Sequence, residues 1–425
     1  MTRLLDHYSR AATEAMDLLY PYEADTRPHP PPTSQEADLP DRALSDRAGA
    51  AAWLEAELVN LLDTVRHATD RGLSHHVLHL SATLHRYLRA QGRYGDAEAL
   101  LRRVLAVARA TGDRSGEVDA LLGLGDVHHS QGRRRDATDD FTQALNIAKT
   151  LGYDAGELRA LIGFGRIHWR HCRYETADGC FEQALGIARA IGSHTGEFDA
   201  LNGLGWIHRL QGRLGQAAAE FARALDLARA IGHRTGELKA LSGLGHVRRM
   251  ERRYEQATDC FERALRLARA IGHRSGALDI VIALGDIHRL LGRHAQAAES
   301  YEQALEIALE IGDRNWQFEA VQGLGRLAGA LGDPRQAIAR HRQALDVATD
   351  LSQPDDQARA HDGLAHAYRA LGQDEDAHRH WHEALRILTA LGIDRTEDEE
   401  ASAEVIRTHL NRLDLRLGHA GGVSR

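Results

Sequence analysis

The chain has 425 residues, a formal net charge of −8 and three cysteines. This length exceeds what one globular core usually covers, so it predicts several domains or one extended repeat array. The negative charge disfavours wholesale wrapping of nucleic acid, and so few cysteines are typical of a reducing compartment. With no apolar run near the roughly 20 residues of a membrane span and no secretory signal pattern, we expect a cytoplasmic protein without a membrane span.

The first 77 residues are predicted to form a helical cap that precedes the array. An amphipathic helix is expected at 3–20, a flexible Pro-rich loop at about 21–44, and a second, longer helix at 45–70. These elements do not share the pattern that follows them, and we therefore place the start of the array at residue 78.

Residues 78–397 repeat one pattern with a step of 40 residues and without a gap. Alanine, an apolar residue, an aromatic residue and glycine each recur at a fixed phase of this repeat. Because a glycine inside a helix costs about 1 kcal/mol relative to alanine, its recurrence predicts that helices approach each other closely there. The glycine column is Gly125, Gly165, Gly205, Gly245, Gly285 and Gly325, and the aromatic column is Phe141, Phe181, Phe221, Phe261, Tyr301, His341 and Trp381.

Each unit of the repeat divides into two helices. Apolar residues recur at helical spacing from Glu197 to Leu210, QGR supplies a turn, and the pattern resumes at Ala217 and stops at Gly232. One hairpin cannot bury its apolar stripes alone, so neighbouring hairpins must stack and share a core. We count eight hairpins and predict an all-α solenoid.

The last segment, residues 398–425, is predicted to be a capping helix and a tail. Its helix carries Val405, Ile406, Leu410, Leu413 and Leu415 at amphipathic spacing. We expect the apolar side of this helix to cover the final hairpin.

One unit of the array resembles the tetratricopeptide repeat, in the spacing of residues such as Leu204, Gly205 and Phe221. The resemblance implies a right-handed superhelical α-solenoid of about eight hairpins, with a concave groove in which peptides lie. Two family positions differ, because Leu201 replaces the usual tryptophan and His208 the usual tyrosine. The proline that closes the second helix in the family is also absent.

The N-terminal layout resembles the C-terminal sensor region of AfsR-like regulators of actinobacteria. The resemblance rests on RLLDHYSRAATEAMDLL at 3–19 and AAAWLEAELVNLLDTVRHA at 50–68. In those regulators an NTPase module and often a DNA-binding domain precede the sensor, but we find no phosphate-loop motif in this chain. The resemblance implies a regulatory role, either as a free-standing sensor or scaffold or as a fragment of a larger regulator.

Catalytic and metal-binding patterns are weak. The G-x-G of each unit falls inside a helix and follows no strand, which favours packing over nucleotide binding. His378 and His382 lie four residues apart, but a structural zinc site normally needs four ligands. The chain has no nucleophile elbow or HExxH motif, so we predict no enzyme, no metal site and no cofactor. A column of histidines is expected to be packed and hydrogen-bonded rather than metal-ligating: His128, His168, His208 and His288.

The first helix of each hairpin is predicted to turn a second face toward the concave groove. Arginine binds carboxylates in a bidentate fashion, and tryptophan offers an apolar surface with one donor. We therefore predict a peptide-binding site, in which Asn202 and His246 contact the ligand backbone. The candidate residues are Arg166, Trp169, Asn202, Trp206, Arg209, His246, Arg249, Asp286, Arg289 and Arg326.

The sequence thus predicts a non-enzymatic scaffold or sensor that binds a protein or peptide segment with acidic groups or a free carboxylate. One alternative is a nucleic-acid-associated transcriptional regulator that uses the same arginines on phosphates, although interspersed carboxylates and the net charge oppose it. A second alternative is an atypical enzyme on a repeat scaffold. The oligomeric state stays open, a homo-oligomer included.

Overall fold

A computed structural model describes residues 2–20, 44, 46–171, 173–391 and 402–417. Within these ranges the chain forms helices and no strand, so the predicted all-α solenoid is confirmed. Residues 21–43, which hold most of the predicted Pro-rich loop, lie outside the described part of the chain. None of the described helices is long and apolar enough to cross a membrane.

The helices follow one another in a regular order. A pair of N-terminal helices, α1 and α2, is followed by eight hairpins and by a final helix, α19. The bounds are α1 Thr2–Leu19, α2 Arg47–Asp70, α3 Ser74–Ala90, α4 Tyr94–Thr111, α5 Arg114–Ser130, α6 Arg134–Leu151, α7 Asp154–Arg170, α8 Tyr174–Ile191, α9 His194–Leu210, α10 Leu214–Ala230, α11 Arg234–Met250, α12 Tyr254–Ile271, α13 Arg274–Leu290, α14 His294–Ile311, α15 Arg314–Ala330, α16 Pro334–Asp350, α17 Pro354–Ala370, α18 Asp374–Leu391 and α19 Ala403–Leu417.

These helices form two compact units, Met1–Gly243 (unit 1) and Leu244–Arg425 (unit 2). In unit 1 the first helices of successive hairpins, α3, α5, α7 and α9, contact one another in order, and α13, α15 and α17 do so in unit 2. We call the surface formed by the positions equivalent to Asp199, Asn202, Trp206 and Arg209 on these helices the first-helix face.

The two ends of the array pack differently from its middle. Helices α1, α2 and α3 share one apolar cluster that includes Met16, Leu54 and Leu80. Helix α19 packs on α18, where Ile406 and Leu410 are buried. The prediction that Leu415 belongs to the apolar side of α19 is wrong, because that side chain is 81% exposed.

The recurring glycines make room for the aromatic column. Phe221 of α10 lies between Gly205 of its own hairpin and Gly243 of the next one. A Cβ atom on Gly205 would lie 2.8 Å from the ring, and one on Gly243 would lie 2.4 Å from it. The predicted packing role of the glycine column is therefore confirmed. Four other rings lie between two glycines in the same way: Phe141, Phe181, Tyr301 and His341.

Candidate functional site

Charged side chains pair across neighbouring first helices in unit 1. The Arg159 Nη1 atom lies 2.7 Å from Oδ1 of Asp119, and the Arg166 Nη2 atom lies 2.7 Å from Oδ1 of Asp126. Both pairs join residues that are 40 positions apart and therefore link α5 to α7. The first-helix face of unit 1 is thus crosslinked by ion pairs.

Asp126 is shared between two arginines. In addition to Arg166, the guanidinium of Arg89 approaches Asp126, with 2.5 Å from Nη1 to Oδ2. Burial opposes ionisation of this carboxyl, but Arg89 and Arg166 outweigh it and hold the pKa of Asp126 well below its usual range. Arg166 is therefore already partly neutralised, although its buried Nε atom has no hydrogen-bond partner in the described residues.

Two tryptophans and an arginine form an ordered stack on the same face. The rings of Trp169 and Trp206 are 6.2 Å apart and nearly parallel, at 15°. The guanidinium of Arg209 lies over the Trp206 ring, 4.8 Å from its centroid. The ring of Phe221 contacts the Trp206 ring in an edge-to-face arrangement, with 5.4 Å between the two centroids. The structure therefore brings together Trp169, Trp206 and Arg209, all three of which the sequence predicted as site residues.

Asn202 adds an unused acceptor one helical turn from Trp206. Its Oδ1 atom is buried and has no hydrogen-bond partner among the described residues. The ring of its own hairpin, Phe221, offers no polar atom that could satisfy it. A buried polar atom without a partner is unfavourable, so this oxygen retains the capacity to accept a hydrogen bond.

Sequence reasoning missed Lys239 as a candidate for this face. The residue follows Asp119, Arg159 and Asp199 in the same 40-residue column. Solvent reaches Lys239, yet the surrounding protein desolvates its amine and so lowers its pKa. The carboxylate of Asp199 opposes this shift, whereas nearby arginines reinforce it. Its position in this column could have identified Lys239 as a candidate. The sequence could not indicate how many arginines act on its amine.

In unit 2 the predicted site residues are largely paired with one another. Asp286 is only 8% exposed, and its Oδ2 atom lies 3.2 Å from Nη1 of Arg249. Its Oδ1 atom lies 3.1 Å from Nη2 of Arg326 and accepts a hydrogen bond of 2.6 Å from the Tyr301 hydroxyl. Burial and these three partners therefore engage both carboxylate oxygens of Asp286, one of the predicted site residues, within the protein.

The remaining candidates of unit 2 are His246 and Arg289. An edge of His246 contacts the Phe261 ring at 5.0 Å, and its Nε2 atom lies 3.4 Å from Asp279. Arg289 acts electrostatically on Asp286, and its buried Nε atom has no hydrogen-bond partner in the described residues. The ten predicted residues thus divide into five in each unit.

The histidine column is packed, since His128 and His208 are buried and His168 and His288 half-buried, but each of the four has one buried ring nitrogen without a hydrogen-bond partner in the described residues. His128 is buried, and its Nδ1 atom lies 2.6 Å from Asp140. The Nε2 atom of His208 lies 3.2 Å from Asp178. His378 contacts Asp414 of α19 at 2.8 Å. Among the described residues, no group of three or more histidine, cysteine, aspartate or glutamate side chains is arranged to hold a metal ion.

Two tetratricopeptide repeat models match the chain. One matches residues 77–150, 151–230 and 236–310, and the other matches residues 358–395. The first model alone spans more than half of the chain. A search of curated proteins found no significant match to this chain.

Three solved structures are similar in fold. A signal transduction ATPase with numerous domains and a tetratricopeptide repeat sensor, from Pyrococcus horikoshii, is 15% identical, with a TM-score of 0.59, and the match covers 86% of this chain and 54% of that one. A Rap protein complexed with Competence and Sporulation Factor is 14% identical, with a TM-score of 0.53 and coverage of 98% and 99%. The Rap conjugation gene regulator of plasmid pLS20, in complex with the Phr* peptide, is 16% identical, with a TM-score of 0.52 and coverage of 79% and 98%.

Proposed function

This chain belongs to the tetratricopeptide repeat family, and from that premise we propose that it is a non-enzymatic scaffold or sensor that binds a peptide or protein segment. The binding surface is the first-helix face of unit 1. The observation that carries the proposal is the stack of Trp169, Trp206 and Arg209 beside the unpaired amide oxygen of Asn202.

The chemistry of this surface suits a peptide in three respects. The indole faces of Trp169 and Trp206 provide an apolar surface for a hydrophobic side chain. The guanidinium of Arg209, which lies over the Trp206 ring, belongs to the side-chain type that best matches a carboxylate or a backbone carbonyl. Asn202 can accept a hydrogen bond from a backbone N–H group, so that an extended segment is read through its main chain as well as its side chains.

The solved structures support the same class of ligand. The Rap regulator of plasmid pLS20 is in complex with a peptide, and its fold resembles that of this chain. The ATPase from Pyrococcus horikoshii carries its repeats as a sensor, which agrees with the regulatory role implied by the AfsR-like N-terminal layout. We infer that peptide binding by this protein serves regulation.

The experiment is a selection from a displayed random-peptide library on the purified protein, followed by measurement of Kd for the selected peptides. Buried tryptophan and arginine contacts typically contribute about 2 kcal/mol or more each, so the double variant Trp206→Ala, Arg209→Ala should lower affinity at least roughly 100-fold. Trp316, a half-buried tryptophan of α15, is the matched control. Trp316→Ala should leave affinity unchanged.

Circular dichroism and thermal unfolding of both variants check that the fold is kept. If the double variant is folded and binds the selected peptides as strongly as the unmodified protein, the proposed surface is wrong. Failure to select any peptide would contradict the proposed class of function.

A further inference from the structure

In unit 1 a basic residue near the end of a second helix pairs with a glutamate in the first turn of the following helix, eight positions later. The glutamate side chains are only 5–23% exposed, so the protein shields a carboxylate at this place and supplies its counter-charge. The four pairs are Arg109 with Glu117 at 2.8 Å, Lys149 with Glu157 at 3.7 Å, Arg189 with Glu197 at 2.9 Å and Arg229 with Glu237 at 2.9 Å.

The fifth pair, between α12 and α13, has lost only its acidic member. Arg269 keeps the basic position, but Ala277 takes the place of the glutamate, and the first turn of α13 holds no acidic residue. The guanidinium of Arg269 forms no hydrogen bond or ion pair with the described residues. At the two following junctions both members differ: Leu309 with Gln317, and Thr349 with Gln357. Arg269 is thus a cation without the carboxylate that accompanies this position elsewhere.

A cavity of about 270 Å³ lies beside Arg269, within unit 2. Helices α12, α13 and α14 line it with apolar side chains, namely Leu265, Ala268, Ala277, Val281 and Ile307. The missing glutamate side chain therefore leaves an apolar space next to an unpaired guanidinium.

The other titratable residues that line the cavity do not neutralise Arg269. The Arg274 Nη1 atom lies 3.5 Å from Oε2 of Glu310, so these two charges balance each other. The Nδ1 atom of His273 accepts a hydrogen bond of 2.9 Å from the backbone nitrogen of Gly276, which requires an uncharged ring. The cavity thus has one uncompensated positive charge.

We propose that this cavity binds a small apolar carboxylic acid, whose carboxylate pairs with Arg269 in place of the missing glutamate and whose hydrocarbon part contacts the apolar walls. The volume of about 270 Å³ is close to the lower end of the range of about 300–1,000 Å³ for small-molecule sites, so the ligand is small. No residue that lines the cavity lies on the first-helix face, and the proposal does not rest on the peptide surface.

A carboxylate fits this site better than a phosphate does. Only one guanidinium lacks a partner, and the nearby carboxylate of Glu310 repels a second negative charge. Arginine matches the two oxygens of a carboxylate with a pair of parallel N–H groups. The backbone N–H groups at the start of α13 also favour an anion, as they do for the glutamates of the four complete pairs.

The test is a ligand-detected NMR titration of the full chain with sodium hexanoate. We expect saturable binding of one hexanoate per chain. Hexanamide, which lacks the charge, and acetate, which lacks the hydrocarbon chain, should each bind at least about tenfold more weakly. The α-amide of N-acetylglutamic acid, a mimic of an acidic peptide side chain, should also bind more weakly than hexanoate.

Two variants locate the binding site. Arg269→Gln removes the charge at an exposed position and should weaken hexanoate binding at least about tenfold. Ala277→Glu places a carboxylate of the protein beside Arg269, as in the four complete pairs, and should abolish binding. Arg266→Gln is the matched control, because Arg266 lies on the same helix, is 67% exposed and does not line the cavity. Circular dichroism checks the fold of each variant, and Arg269→Gln decides the outcome if Ala277→Glu does not fold.

The proposal is wrong if hexanoate binding does not saturate, or if folded Arg269→Gln binds hexanoate as strongly as the unmodified protein. Tighter binding of the glutamate mimic than of hexanoate would also reject it, in favour of an acidic peptide side chain. The double variant Trp206→Ala, Arg209→Ala, which tests the peptide surface, should bind hexanoate with unchanged Kd. Failure of one site therefore leaves the test of the other intact.

Discussion

At the scale of single residues, close packing against the buried rings limits the size of the side chain that each position of the glycine column can hold. Phe221 is buried and has glycine on both sides, so it has little room to move away from a new side chain. Phe261 differs, because Ala283 occupies the place of one of its two glycines and is itself buried. One methyl group is thus tolerated on one side of a ring, but a larger side chain would force the helices apart.

Gly205→Leu is therefore expected to lower the free energy of unfolding by roughly 1–3 kcal/mol or more, the usual range for overpacking. Gly215→Leu is the control, because Gly215 is an exposed residue of α10 and a Cβ there meets no atom within 4 Å. That variant should be as stable as the unmodified protein or more so, since leucine is the better helix former. Urea unfolding measures both, and equal stabilities would contradict the packing role of Gly205.

At the scale of helix pairs, a polar atom in the aromatic column has a partner on the first helix of the same hairpin. The Trp381 indole nitrogen donates to Asp362 at 2.8 Å, and the His341 Nδ1 atom lies 2.8 Å from Oε1 of Gln322. Where the ring is that of phenylalanine, it has no polar atom, and the residue 19 positions before it, which is equivalent to Asp362 and Gln322, can be apolar. In the hairpins of Phe141 and Phe181 this position holds Leu122 and Ile162.

The pair of His341 and Gln322 can be tested by a double-mutant cycle. Either His341→Phe or Gln322→Leu alone leaves the other partner buried without its hydrogen bond, at a cost of about 1–3 kcal/mol. The double variant should be less destabilised than the sum of the two by about 1 kcal/mol or more. Gln322 also donates a hydrogen bond of 2.9 Å to the Arg359 carbonyl oxygen. Both variants that carry Gln322→Leu lose this bond, so its free energy cancels in the cycle. Strict additivity in urea unfolding would show that the two side chains are not coupled.

At the scale of the whole molecule, buried histidines link stability to pH. Desolvation lowers the pKa of His341 to about 3, and Arg326 adds to the shift. The unfolded chain therefore takes up protons below pH about 6.5 that the folded protein refuses, so the stability of the folded state is complete above that pH and is lost as the pH falls toward the folded value. Five more histidines have pKa values lowered to about 4: His85, His129, His233, His366 and His380.

We therefore expect Tm to be constant above about pH 7 and to fall between pH 6.5 and pH 4, by about 1 °C for each kcal/mol lost from a chain of this length. Asp356 acts in the opposite sense, because burial raises its pKa to about 6. Burial also raises the pKa values of Asp119 and Asp140, but these three groups are outnumbered by the histidines. The double variant His341→Phe, Gln322→Leu should lose less stability over this pH range than the unmodified protein. His75→Gln, at an exposed position, should not change the profile. A Tm that stays flat from pH 7 to pH 4.5 would contradict the argument.

The amino-acid sequence by itself determined the class of fold and the position of each hairpin. The 40-residue step places every apolar, aromatic and glycine residue in a column, and in a repeat array each hairpin packs mainly on its neighbours. Local periodicity therefore carries most of the information on tertiary contacts, which is why the packing role of Gly205 could be predicted. The same columns placed Trp169, Trp206 and Arg209 on one face.

Only the tertiary structure decided which of the charged residues on that face are already engaged. Asp286 and Arg249 are predicted by their columns to face a ligand, yet burial and their mutual contact pair them within the protein. Lys239 occupies an equally ordinary column position and has no such partner among the residues that the structure describes. Side-chain reach, burial and the charges contributed by other helices decide between these cases. A column shows which residues are neighbours, whereas the free energy of an ionised group depends on everything that surrounds it.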